Sequence, residues 1–219
     1  MKSLCMGRRL GLVIGLIQGI ACLGASGHAA PAGSWCGNAR GPFVGSGGAV
    51  VFFGVGVGNP LAGSSTQAAL ARGRARTDLA ATAKPWIQRL VQDYMARHRA
   101  YFGPRDFGGA AEFSRCFSER FAADMAADRP LAAAWKDPVT GLAYAVARME
   151  FSDAWFARYQ QALGAALTQR HGQDQPGQTQ ALLSELAADI ASQRASQASL
   201  FGPAQAEPAL LAQGIPLQE

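Results

Sequence analysis

Residues 49–57 (AVVFFGVGV) run unbroken through β-branched and aromatic side chains, which predicts a strand buried on both faces or nearly so. Gly54, Gly56 and Gly58 recur at every second position, so all three point to one side of that strand. A side without Cβ atoms admits another backbone at close range. A turn at 58–63 follows, with Ser64, Ser65 or Thr66 able to cap the next helix. Ala68, Ala71, Ala75, Leu79 and Thr82 then fall at spacings of three and four, predicting a helix with one narrow, small-residue face. Pro85 is expected to end or kink it, because it lacks a donor and clashes with the Ala81 carbonyl. Trp86, Leu90 and Tyr94 carry an apolar stripe on to about Arg99.

Residues 101–109 read as a loop, and Phe113, Cys116, Phe117, Phe121 and Met125 mark a further amphipathic helix that Pro130 stops. The strongest hairpin pattern is residues 131–136, a turn Asp137-Pro138-Val139-Thr140-Gly141, and residues 142–151. On its second strand Ala143, Ala145, Ala147, Met149 and Phe151 share a face suited to helix packing. The other face carries Leu142, Tyr144 and Val146 and ends in Arg148 and Glu150. Ser152 or Asp153 can cap a helix running through Arg170, with Trp155, Tyr159 and Leu163 on one side. Residues 172–178 (GQDQPGQ) read as a linker, Leu182, Leu186 and Ile190 define a last helix, and the proline-bearing tail from Gly202 reads as loose. No internal repeat is present. The expected fold class is α+β: a small antiparallel sheet ordered β-α-β-β-α along the chain, helices packed on one face, and a helical insertion at 85–130.

Charge adds little at first sight, then redirects the reading to the N-terminus. The 219 residues carry 20 Lys and Arg against 15 Asp and Glu, but three of the basic residues are Lys2, Arg8 and Arg9. Without them the chain is close to balanced, and no general attraction to polyanions follows. Those three form the positive region of a secretory signal, residues 10–20 (LGLVIGLIQGI) its apolar region, and residues 24–30 (GASGHAA) the small-residue cleavage region. The apolar run is far short of the roughly 20 residues of a membrane span. The expected organisation is therefore a signal at 1–29, an irregular leader at 30–48, an α+β domain at 49–171 and a C-terminal region at 172–219. Two processing routes are open. Cleavage after Ala29 releases a soluble chain and is favoured. Gly19-Ile20-Ala21-Cys22 also imitates a lipobox, with Cys22 as the lipidation site, though Gly19 stands where an aliphatic residue is usual.

Cleavage near Ala29 leaves Cys36 and Cys116, an even count in an oxidising compartment, and a disulfide between them is expected. The competing reading keeps Cys116 as an unpaired, buried small hydrophobe.

The glycine strand before an Ala/Arg-rich helix, and the run Ala134-Trp135-Lys136-Asp137-Pro138 leading through Gly141 into Leu142-Ala143-Tyr144-Ala145-Val146-Ala147-Arg148, resemble the bacterial Lpp-twenty lipoprotein family over about residues 50–158. The resemblance implies a β-α-β-β-α layout in an envelope protein without assigned enzymatic activity, linked in some members to flagellar outer-membrane structures. The chain departs from the pattern at the 85–130 insertion, which brings its own cysteine, and at the lipobox. The family offers no agreed catalytic residues to carry over.

Specific chemistry is sparse. Gly54-Val-Gly-Val-Gly-Asn59 resembles a dinucleotide loop, but Asn59 stands where the sixth position needs glycine, and a second strand with an acid is missing downstream. His98 and His171 read as helix-end cations, and Cys36, His98 and Cys116 lack the closely spaced pairs of a zinc site. Arg72, Arg74 and Arg76 splay over different helix faces and read as a solvated surface. No cofactor, metal or nucleic-acid partner is expected. The reading is a non-catalytic periplasmic or outer-membrane-associated module that binds a protein partner or itself, with Trp135 and Tyr144 as candidate interface. Its only membrane contact would be a lipid anchor. The alternative is an envelope hydrolase using Asp106, Glu112 and Glu119 of the insertion.

Overall fold

The computed structural model describes residues 41–45, 48–102, 104–129, 131–171, 176–197 and 205–206. Along the chain these form β1 (Phe43–Val44), β2 (Val50–Val57), α1 (Ser64–Arg97), α2 (Pro104–Ala127), β3 (Leu131–Lys136), β4 (Ala143–Glu150), α3 (Asp153–His171), α4 (Pro176–Ala195) and β5 (Gln205–Ala206). The sheet order is β3-β4-β2-β1-β5. Every pairing is antiparallel except the two-residue parallel contact of β5 with β1. This is an α+β fold with a small sheet and helices on one side of it.

The glycine stripe sets the geometry. A Cβ at Gly54 would stand 2.2 Å from Ala75 O, and one at Gly56 only 1.9 Å from Ala71 O. At Gly58 it would meet Gln67 O at 2.8 Å. Residues 67, 71, 75 and 79 form one i,i+4 ridge of α1, so the helix backbone lies directly on the glycine side of β2. The same side of β4 supplies Ala145, Ala147 and Met149, all fully buried. Small residues on both strands and on the helix bring the two layers unusually close.

That closeness also closes an edge. β1 pairs with β2 only at Val50 and Val51, so the rest of that side of β2 lacks a strand neighbour among the described residues. Helix α1 leans over it: Val55 N donates to Asp78 Oδ2 at 3.0 Å, and Arg74 Nη1 donates to Val57 O at 2.6 Å. Satisfying exposed strand groups in this way blunts a pairing-prone edge. Arg74 is therefore part of the fold and not merely a solvated charge.

Pro85 does not interrupt α1, which runs through it to Arg97. Its ring lies on the exposed side, where water can reach the released Ala81 carbonyl, while Ala83, Ile87, Leu90 and Val91 keep the buried ridge continuous. The insertion is thus the second half of α1 plus α2. No side chain caps α1; Gly63 occupies that position, and Gln67 Nε2 instead donates to Ala62 O at 3.0 Å. Four further elements depart from the expected layout: α2 enters the expected loop at Pro104, α4 enters the expected linker at Pro176, and β1 and β5 lie in the expected leader and tail. Two-residue strands are too short to leave a periodicity.

The main core lies between the sheet and the helices. Phe117 and Phe121 of α2 meet Tyr159 of α3 at 6.0 and 5.7 Å, and Trp155 stacks on Phe151 at 3.9 Å. Burial of such rings contributes about 1.5–3 kcal/mol each. Ser152 caps α3, accepting from Trp155 N at 3.4 Å. A second, smaller cluster of Phe43, Val51, Phe53, Ala133 and Val146 occupies the opposite face of the sheet.

Candidate functional site

The hairpin builds the first site. Asp137 organises its turn: Oδ1 accepts from Val139 N at 3.0 Å, and Oδ2 accepts from the Thr140 hydroxyl. These bonds hold the Asp137 carboxyl below the usual carboxylate range. Gly141 takes a left-handed conformation (φ 68°), and Asp137 N donates to Leu142 O at 2.8 Å to close the turn. The register places Trp135 directly opposite Tyr144. Their rings stack at 5.3 Å with planes 8° apart. Both are half-buried, on the sheet face away from the helices, and Trp135 belongs to the outermost strand. The two residues singled out in the sequence are therefore one aromatic unit at the rim of the sheet.

The other expected site residues that are described do not gather around it. Cys116 is half-buried on α2, and Arg115 Nη2 approaches its Sγ at 3.4 Å. Cys36 and Cys22 lie outside the described residues. Of the insertion carboxylates, Glu112 is exposed, and Glu119 is exposed and paired with Lys84 at 3.1 Å and Arg115 at 3.5 Å. The Asp106 side chain lies outside the described residues. The cleft between α1 and α2, about 240 Å³, is lined by Gln92, Met95, Arg99, Phe102 and Ser114, with no acid among the described residues that line it. A larger, open cleft of about 600 Å³ at the α3 and α4 ends has two acids, each already engaged: Asp153 with Arg194 at 2.6 Å and Glu150 with Arg148 at 2.7 Å. The glycines that resembled a nucleotide loop face the backbone of α1, which leaves no room for a phosphate.

The second site was not read from the sequence. His98 ends α1 and is only 8 % exposed. It is no solvated helix-end cation. Its Nε2 makes a short contact with Asp189 Oδ2, and its Nδ1 lies 3.3 Å from Glu185 Oε2, both on α4. Arg97 pairs with Asp93 at 2.8 Å and Asp189 at 3.6 Å. Buried Gln193 donates to Leu90 O at 2.8 Å and Asp93 Oδ2 at 3.1 Å. Beneath the imidazole, Tyr94 donates its hydroxyl to Leu182 O at 3.3 Å. Burial, then the charges of Asp189 and Glu185, push the Tyr94 hydroxyl up. Glu185, Asp189 and Gln193 repeat at i,i+4 beside the apolar stripe of α4, a signal visible in the sequence once α4 is known to face α1. This cluster fastens two helices and opens into neither cleft. Among the described residues, no three His, Cys, Asp or Glu side chains are placed to hold a metal ion, and no helix is long and apolar enough to cross a membrane.

No protein-family model matches this chain, and no curated protein or solved structure matches it.

Proposed function

We propose that the chain is an exported, non-catalytic envelope protein of the periplasm or outer membrane, resembling the Lpp-twenty lipoproteins, that works by binding a protein partner through the rim of its sheet. The observation that carries this is the stacked Trp135–Tyr144 pair across the outermost strand and its neighbour, opposite the helical layer. An outermost strand offers backbone donors and acceptors to an added strand, and flanking aromatics give such an addition grip and register. Its shortness, the irregularity between Leu131 and Ala133, and Lys136 at its end discourage open-ended stacking of copies.

The three-part pattern of residues 1–29 supports export, and the pairing of Cys36 with Cys116 goes with it as part of the same proposal. Cys22 is the alternative anchoring point. The test compares wild type with the Trp135→Ala/Tyr144→Ala double variant in native complexes extracted from the envelope, sized by light scattering. The wild type is expected in an assembly larger than the monomer, and the variant as a folded monomer. If the variant has only a lower Tm and the same assembly state, the rim is not the contact surface.

A further inference from the structure

Two turns leave the sheet at the same end. β2 runs out at Val57 opposite Tyr144, Gly58 N donates to Ala143 O at 2.7 Å, and β4 is entered there from the 137–142 turn. The β2–α1 turn and the hairpin turn are therefore neighbours. They are also built alike: Asn59-Pro60-Leu61 in one matches Asp137-Pro138-Val139 in the other. In each, the first side chain accepts from the backbone N–H of the third residue at 3.0 Å, Asn59 Oδ1 from Leu61 and Asp137 Oδ1 from Val139. Gln67 Nε2 fixes the first turn further, donating to Pro60 O at 3.4 Å and Ala62 O at 3.0 Å. Both turns hold an aliphatic side chain out in water: Leu61 is 94 % exposed and Val139 89 %. Leu70, in the second turn of α1, completes the large apolar side chains exposed among the described residues. All three belong to one end of the molecule.

Turn chemistry accounts for the Asn, Asp and Pro residues, but not for the aliphatic residue after them, which contributes only its N–H to the turn. Single apolar residues on a surface are ordinary. Their confinement to one end, two of them on turns of the same build, calls for a cause. No charge interrupts residues 58–71 or 138–147. The charges flanking these stretches are Arg72, Arg74 and Lys136, all exposed, and Asp137, whose carboxylate is occupied within its own turn. Aliphatic tips flanked by cations complement a bilayer interface, where apolar groups enter the acyl boundary and Lys or Arg meets anionic headgroups. A protein partner would need a separate pocket for each tip, whereas a lipid surface accepts both without one.

We propose that the Leu61 and Val139 turns dock this protein on an anionic lipid surface, each placing its aliphatic side chain at the acyl boundary. The contact is peripheral, since no described helix is long and apolar enough to cross a membrane. It uses neither the Trp135–Tyr144 pair nor an anchor at Cys22.

The test floats protein recovered from cells with vesicles of phosphatidylethanolamine and phosphatidylglycerol, and separately with phosphatidylcholine vesicles, every variant keeping the wild-type N-terminus. Wild type should float with the anionic vesicles and less with phosphatidylcholine. Leu61→Ser/Val139→Ser, neutral and at exposed positions, should keep the wild-type Tm and bind the anionic vesicles about tenfold more weakly. Trp135→Ala/Tyr144→Ala should float like wild type, which separates this contact from the protein contact at the rim. The proposal is overturned if wild type floats with neither vesicle, which would leave the tips to a protein partner, or if the serine variant floats as well as wild type.

Discussion

The approach of α1 to β2 makes Gly56→Ala the sharpest perturbation of this fold. The added methyl would stand 1.9 Å from Ala71 O and 2.4 Å from Ala75 N, both backbone atoms that no rotamer change can move aside. Ordinary contact begins near 3.4 Å, so α1 must retreat by about 1.5 Å along this ridge. Overpacking of a tight interior costs about 1–3 kcal/mol. Lifting the helix also loosens Ala71, Ala75 and Leu79, all buried in the main core, and weakens the Asp78 and Arg74 bonds to the β2 edge. We expect a loss of about 3 kcal/mol or more, at the upper end of that range or beyond it. Gly73→Ala is the internal control. It lies in the same helix with open space around it, so the identical substitution should stabilise by about 0.5–1 kcal/mol. Gly54 and Gly56 rest on one helix, so after the first substitution has lifted α1 the second should cost less than it does alone. Urea denaturation followed by far-UV circular dichroism measures wild type, the three single variants and the Gly54→Ala/Gly56→Ala double variant. A Gly56→Ala protein within about 0.5 kcal/mol of wild type, or one that shifts in the same direction as Gly73→Ala, refutes the packing argument.

Other expectations follow from single groups. Burial raises the hydroxyls of Tyr94 and Tyr159 above the ordinary tyrosine value of 10.0, so the stability they lend is complete below that pH and lost as pH climbs through their raised values. Tyrosinate absorbance for these two rings should therefore appear together with unfolding and not before it. Asp137 is shifted the other way, so its contribution is present above the unfolded carboxylate value and disappears as pH falls through the lower folded value. Asp137→Ala should melt below wild type at neutral pH, and the two should converge in acid. His98→Ala leaves Asp189 and Glu185 without their imidazole and should cost about 1–3 kcal/mol, with limited proteolysis striking α4 first.

The legible parts of this chain were those with a local cause. A period of two exposed the glycine stripe, turn chemistry exposed the hairpin and its Trp135–Tyr144 pair, and Ser152 announced the start of α3. Pro85 did not end the helix because its effect depends on which side of the helix it occupies, and that side is fixed by tertiary packing. The His98 cluster was hidden for another reason: its partners lie 87 and 91 positions away, and a histidine at a helix end is by default a surface charge. That cluster joins elements far apart in sequence, which is why composition and periodicity passed over it.

Export with an oxidised cysteine pair underlies the whole functional account, and the intact mass of the protein recovered from fractionated cells tests it directly. The account predicts an envelope-fraction chain that starts just after Ala29 and is two hydrogens lighter than its reduced form. A lipidated chain starting at Cys22 would keep the compartment and add an anchor. A cytosolic chain that still carries Met1, with every cysteine reduced, would contradict it.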